Sequence, residues 1–328
     1  MTGGIIIAGL ILIGLTAGVT KLVKSSRPAL LKGNIPPRLG ILDHIPMEPL
    51  LNKLNNSLDD DYVHQVKERF LQENPKLTGD EFEWRLFELK RYFLLSNILK
   101  TTPMFSQEVD EVWHTMILFT QKYQSFSERF LGQMLHHTPN TNPKPATHER
   151  AFFDWTFSQL FQITKYSWKS WGSFFNHPVE LQLLKEFRES PSETLKEKYF
   201  KVSGDNKELI EYLVSQMKKQ LSEAEAMYQI HKKGKFTRLQ TYGEMTSLSL
   251  VMIFFSYYYF DEYWNHVKLY ALANPGNYTS GCKTAVFCGT ASTDHHHSGE
   301  DGGGHHSSCS GSNCSSSNCS SCGSGCSS

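Results

Sequence analysis

Residues 109–139, VDEVWHTMILFTQKYQSFSERFLGQMLHHTP, carry the pattern that decides the fold class of this chain. Side chains of the first half recur every three or four positions, which places them along one face of an α-helix: Val109, Trp113, Met116, Ile117, Thr120 and Tyr123. Similar patterns follow Asp59 and Thr78, and the longest runs from Asn206 to Lys232. No strand-like alternation of useful length interrupts these patterns, so we predict an all-α fold.

Two helix starts can be placed from local chemistry. Thr78 followed by Glu81 is a capping box, in which each residue satisfies a backbone N–H of the other. Ser106 is the expected N-cap of the helix that carries VDEVWH, and the acidic residues after it favour the positive end of the helix dipole. The helix between these two starts must end before Pro103, because proline disfavours helical geometry at the residue before it.

Composition excludes some functions. The chain has 328 residues with 33 basic and 33 acidic side chains, so no global positive field would draw it to nucleic acid. The sequence has no phosphate-binding glycine loop, no G-x-S-x-G turn, no H-E-x-x-H motif and no kinase motif set. We therefore expect no nucleic-acid partner, and we assign no catalytic and no cofactor-binding residue.

The first twenty residues predict a membrane anchor. Residues 1–20 contain no charged side chain, and a helix of that length matches the hydrocarbon thickness of a bilayer. A cleaved signal peptide is the main alternative, but it would carry positive charge before the apolar run, whereas Lys21, Lys24 and Arg27 follow it. We predict a single-pass membrane protein with a bilayer as partner and its main domain in the cytoplasm.

The rest of the chain divides into three predicted parts. Residues 21–58 are expected to form a proline-containing linker, and residues 59–270 a helical domain whose motif core spans about 78–165. The apolar segment 246–260 within that domain is short for a membrane span, so we favour a helix that seals the core. Its basic and acidic flanks leave open the alternative of a two-pass protein with the tail outside.

Residues 271–328 form a low-complexity tail that we predict to be disordered. Glycine and serine at this density cannot bury enough apolar area to offset chain entropy. The tail also contains thiol and imidazole groups, which zinc prefers as ligands: Cys309, Cys314, Cys319, Cys322, Cys326, His295, His296 and His297. A loose metal-binding segment and a solvated tail without a ligand both remain open.

A second candidate metal site lies in the quoted stretch. Asp110 and His114 are four residues apart, so on a helix they share one face, and His137 follows on the next element. These three side chains would make an open site for Zn²⁺ or Fe²⁺, with Glu111 as a candidate base. The structural alternative is that Asp110 complements the helix dipole and that the histidines only hydrogen-bond within the fold.

The same stretch resembles the glycine-rich domain-containing protein-like family. Bacterial members are similar in having a VD-x-x-WH helix, an ILFT and Tyr continuation and a Gly-x-x-x-HH-x-Pro ending, and the upstream RLFELKRYFLL also fits. The resemblance covers roughly residues 60–165 and implies a helical fold but no reaction. Relatives often have Cys where this chain has Ser127, and a hydroxyl would be the poorer metal ligand.

Two functional hypotheses follow from the sequence. The first is a membrane-anchored, non-catalytic interaction or scaffold module that uses a protein partner and a metal-binding tail. The second is a metal-dependent enzyme with its site at Asp110, His114 and His137. Zinc is a candidate metal in either case, with Fe²⁺ the alternative at Asp110 and copper(I) the alternative in the tail.

Overall fold

The computed structural model describes residues 30–137, 147–230 and 245–267. Within these ranges the regular structure is helical, without strands, apart from isolated antiparallel bridges that pair Ile41 with Phe161 and Leu99 with Phe200. The α-helices are α1 Glu48–Ser57, α2 Asp60–Glu73, α3 Gly79–Ile98, α4 Gln107–Ile117, α5 Thr120–Leu131, α6 Thr147–Leu160, α7 Lys165–Trp171, α8 Leu181–Glu189, α9 Ser192–Tyr199, α10 Lys207–Ile230 and α11 Met245–Tyr258. The predicted all-α fold is confirmed.

Helix α3 lies at the centre of the packing. Its start is the predicted capping box, in which Glu81 N donates to Thr78 Oγ1 over 3.2 Å and Thr78 N donates to Glu81 Oε2 over 2.9 Å. The helix packs against α1, α2, α4 and α7, and it is buried almost all round over its last three turns. A helix surrounded in this way must also satisfy its polar side chains inside the protein.

A buried ion pair on α3 meets most of this requirement for its two charged members, Glu88 and Arg91. The Arg91 Nη1 atom lies 3.4 Å from Glu88 Oε1, and both side chains are fully shielded from solvent. Ser167 and Trp171 of α7 also donate to Glu88, over 2.6 and 2.9 Å, while Arg91 Nε donates to the Leu39 carbonyl over 2.8 Å. The pair therefore joins α7 and the preceding loop to α3, and burial lowers the pKa of Arg91 to about 10.

The loop that Arg91 reaches contains a glycine with a specific role. Short 3₁₀ turns span Lys32–Asn34 and Pro37–Gly40, and Gly40 has a φ of 57°. A Cβ atom at this position would collide with the Arg91 Nη2 atom. Only glycine therefore combines the left-handed backbone with the close approach of the guanidinium.

Part of the predicted linker, residues 21–58, is folded. Residues 48–57 form α1, and its side chains Leu50, Leu51 and Leu54 are buried in the core. The prolines suggested an irregular chain, but Pro49 stands in the first turn of the helix, where its missing N–H costs no helical hydrogen bond. The helical domain therefore begins earlier than residue 59.

The apolar segment 246–260 packs inside the protein. It contributes α11, whose residues Val251–Phe255 are almost completely buried, and α11 packs against α6, α8 and α10. The alternative of a second membrane span finds no support, because within the described residues α11 comprises 14 residues, fewer than a span needs. The predicted core-sealing helix is confirmed.

The predicted membrane localisation requires correction. Across residues 30–137, 147–230 and 245–267, none of the helices combines the length and the apolar character that a membrane crossing needs. The single-pass prediction rested on residues 1–20, which lie outside the described residues, and no described helix supports it. The predicted disordered tail, residues 271–328, also lies outside them.

Candidate metal centre

Helix α4 places two of the three predicted ligands. It begins at the predicted N-cap, where Ser106 Oγ accepts a hydrogen bond from Val109 N over 3.2 Å. The apolar stripe of α4, which includes Val109 and Trp113, faces the core. Asp110 and His114 lie one turn apart on the partly exposed flank of this helix, as their spacing predicted.

A glycine turn brings the third predicted ligand to the same place. Helix α5 ends at Leu131, because Gly132 adopts a left-handed conformation with a φ of 76°. This is the common helix C-terminus in which glycine carries no steric penalty. The chain then turns back, and His137 reaches α4, whereas its neighbour His136 is exposed.

The three side chains converge. The Nε2 atom of His137 lies 2.8 Å from Asp110 Oδ1, and the Nε2 atom of His114 lies 3.7 Å from Asp110 Oδ2. One ligand atom from each residue can be chosen so that all three lie within 4.8 Å of one another. In the described part of the chain, this is the only group of three or more such residues with that spacing.

These distances are near those of a metal site. Ligands at about 2.0–2.1 Å from a tetrahedral Zn²⁺ lie about 3.3 Å from one another. The separation of 3.7 Å between His114 and Asp110 is close to that value, and the shorter Asp110–His137 distance is a direct hydrogen bond. A metal would replace this hydrogen bond, and the ligand atoms, which lie within 4.8 Å of one another, would have to adjust to its bond lengths.

The exposure of the group determines where water can enter. The His137 side chain is 11% exposed, Asp110 is 23% exposed, and His114 is 53% exposed. His137 therefore lies on the side of the group that faces the protein interior, and His114 lies on the side that faces solvent. A metal held by these three ligands would have its remaining coordination positions open to water, as catalytic zinc sites do.

Two aromatic residues of the same stretch hold the returning segment in place. Trp113 Nε1 donates to Tyr123 Oη over 2.9 Å, and the Tyr123 hydroxyl donates to the Leu135 carbonyl over 2.7 Å. The indole of Trp113 also packs at 81° to the His137 ring, with 4.6 Å between the ring centroids. The helical periodicity predicted Trp113 and Tyr123 in the core stripe but did not indicate this role, although buried Trp and Tyr usually require a polar partner.

Removing the Tyr123 hydroxyl tests this arrangement. We expect Tyr123→Phe to lower the free energy of unfolding by about 1–3 kcal/mol, because the Trp113 N–H and the Leu135 carbonyl both lose a partner. Urea unfolding followed by circular dichroism measures the change. Tyr212→Phe is the control, since the Tyr212 hydroxyl has no hydrogen bond to the described residues. Equal unfolding midpoints for the two variants would contradict the bracing role.

The candidate base and the serine of the stretch occupy other positions. Glu111 Oε2 accepts a hydrogen bond from Arg85 Nη1 over 2.5 Å, so the carboxylate that we considered as a base is held in an ion pair. Ser127 is fully buried on α5. The three-residue group therefore stands without either of them.

The second predicted metal site lies outside the described residues. It comprises the tail histidines and cysteines: His295, His296, His297, Cys309, Cys314, Cys319, Cys322 and Cys326. Metal binding by the tail therefore stays a prediction from the ligand types.

Among the comparisons with known proteins, one family model matches about one third of the chain. No curated protein matches the chain, and no solved structure does. The resemblance to the glycine-rich domain-containing protein-like family is wrong: the family model that matches is UCP032817-like, an uncharacterised family, over residues 55–160. The likeness rested on a short helical motif and on tail composition, and neither is specific to one family. The region similar to the UCP032817-like family contains Asp110, His114 and His137.

Proposed function

We propose that this chain is a helical metal-binding protein that holds a divalent transition-metal ion at Asp110, His114 and His137. The observation that carries the proposal is the convergence of their ligand atoms within 4.8 Å. Two imidazoles and one carboxylate suit Zn²⁺, and the same set is known for Fe²⁺. The ligands come from segments 23 residues apart, His114 to His137, and are held there by a glycine turn and an aromatic brace.

An open site is the feature that would give the metal a chemical role. Structural zinc sites have four protein ligands, whereas catalytic sites have three and keep a position for water. A zinc ion here would lower the pKa of that water and act as a Lewis acid at the exposed side of His114. The function that fits this geometry is a metal-dependent enzyme whose water-activating centre lies at the protein surface.

A non-catalytic interaction module is the second candidate function. The observation that favours it is the ion pair between Glu111 and Arg85, which occupies the carboxylate nearest in sequence to the ligands. In this case a side chain of a protein partner completes the coordination of the metal. The two functions share the metal site and differ in what occupies its open position.

Metal content tests the shared part of the proposal. The full chain, purified without chelators, is expected to contain about one metal ion held by the helical domain, and His114→Ala should lose it. His64→Ala is a matched control, because His64 also lies 3.7 Å from a carboxylate four residues away and is 67% exposed. Both substitutions are made in a chain whose seven tail cysteines and five tail histidines are replaced by serine, so that tail binding does not mask the result.

The outcome of the metal measurement decides between the sites. Metal that disappears with His114→Ala and remains with His64→Ala supports the centre on α4. Two results would overturn this centre. In the first, His114→Ala leaves the metal content unchanged; in the second, the metal already disappears when only the tail cysteines and histidines are replaced. Cobalt substitution then tests the open position, because added azide should change the visible spectrum if a water ligand is exchangeable.

A further inference from the structure

A separate cavity of about 380 Å³ lies between four parts of the chain. It is half open to solvent and is lined by the segment 99–103, the first half of α6, the start of α8 and the end of α9. Its volume falls in the range of about 300–1,000 Å³ that small-molecule sites occupy. Neither the metal centre nor any of its ligands lines this cavity.

The apolar side of the cavity is held rigidly. Phe152 packs against Tyr199 with 5.5 Å between the ring centroids, and Phe153 and Leu183 complete this wall. The isolated bridge between Leu99 and Phe200 fixes the two adjoining chain segments, which also share a 3.0 Å hydrogen bond from Lys100 N to the Tyr199 carbonyl. A preformed aromatic wall of this kind lowers the ordering cost of binding a flat, apolar group.

Three of the charged groups at the cavity already have partners. Lys198 Nζ lies 2.8 and 2.7 Å from the two oxygens of Glu186, and the Tyr199 hydroxyl donates to the same carboxylate over 2.8 Å. Lys100 Nζ donates to the carbonyl of Glu197. Both lysines of the lining are therefore engaged, and neither is left to receive an anion.

Two carboxylates remain for a ligand. Glu149 makes no hydrogen bond or ion pair with the described residues, and Glu180 has only the His148 ring within 3.9 Å. Both line the cavity, where carboxylates outnumber lysines by three to two. These side chains and His148 do not come close enough together to form a group suited to a metal ion. The surplus negative charge beside an aromatic wall is suited to an organic cation.

We propose that this cavity binds a small organic amine. Its ammonium group pairs with Glu149 and Glu180, and its aromatic or aliphatic body packs against Phe152, Phe153 and Leu183. The interaction combines a charge-assisted hydrogen bond with apolar burial, so each half contributes specificity. This inference is independent of the metal centre.

A matched series of ligands tests the charge preference on the full chain. We expect 2-phenylethylamine to bind at least about tenfold more tightly than 2-phenylethanol, because one charged contact contributes about that factor, and 3-phenylpropionate to bind more weakly still. Ligand-observed NMR titration measures all three dissociation constants. The preference for the amine should decrease at high salt, because both carboxylates face a half-open cavity.

Variants locate the binding. The double variant Glu149→Gln/Glu180→Gln should remove the preference for the amine over the alcohol, whereas Glu193→Gln, on the exposed face of α9, should retain it. Leu183→Trp should reduce the binding of both ligands by filling the apolar side. Three results would overturn the proposal. In the first, the chain does not bind 2-phenylethylamine; in the second, it binds 3-phenylpropionate as tightly as the amine. In the third, Zn²⁺ displaces the bound amine from the His114→Ala chain.

Discussion

Glu88→Ala is expected to lower the free energy of unfolding by about 3–5 kcal/mol, because it leaves the charge of Arg91 buried without a counter-charge. Glu88 and Arg91 are both completely shielded from solvent. The substitution also removes the acceptor for Ser167 and Trp171, so α7 loses two of its hydrogen bonds to α3. Chemical denaturation with guanidinium chloride, followed by fluorescence and circular dichroism, measures the change.

Two further variants distinguish the stability cost of an unpaired buried charge from the cost of shortening a side chain. Glu73→Ala is the control for an exposed ion pair: Glu73 lies 3.0 Å from Arg69 with both side chains about half exposed, and its loss should cost less than about 1 kcal/mol. The double variant Glu88→Leu/Arg91→Met should be more stable than Glu88→Ala, because it removes the unpaired charge. A Glu88→Ala effect as small as that of Glu73→Ala would refute this account of the core.

Asp110→Ala is expected to reduce the affinity for Zn²⁺ by at least about 100-fold, since loss of a partner outside the first coordination sphere already costs about 10–100-fold. Asp110 contacts both histidines, at 2.8 and 3.7 Å, so it is the centre of the proposed ligand set. Competition titration against a zinc chelator measures the affinity. The same variant should lose about 1 kcal/mol of stability without metal, because His137 loses its hydrogen bond.

His114→Ala gives a contrasting pattern for the same site. Its side chain is 53% exposed, so the metal-free variant should keep its free energy of unfolding within about 0.5 kcal/mol while the affinity falls. If the group were only a structural hydrogen bond, Asp110→Ala would change stability alone, and neither variant would alter zinc binding. An affinity that stays within a few-fold of the original in Asp110→Ala contradicts the proposed metal centre.

The predictions made from local sequence agreed well with the structure. The capping box of Thr78 and Glu81, the N-cap at Ser106 and the long helix after Asn206 all depend on neighbours in the chain, and all three are found. The shared face of Asp110 and His114 follows from helical periodicity alone. Local rules failed at residues 48–57, which were predicted as part of the linker but form a packed helix with Pro49 in its first turn.

The sequence by itself determined the helical fold class, the ends of several helices and the ligand types in VDEVWH, because these depend on residues a few positions apart. Only the tertiary structure decided that His137 contacts Asp110 directly, that Glu111 pairs with Arg85, and which charged side chains are buried together. Each of these contacts depends on how helices distant in sequence pack and on which groups lose solvent. Such contacts have no signature in local spacing, since they arise from the shared burial of the whole core.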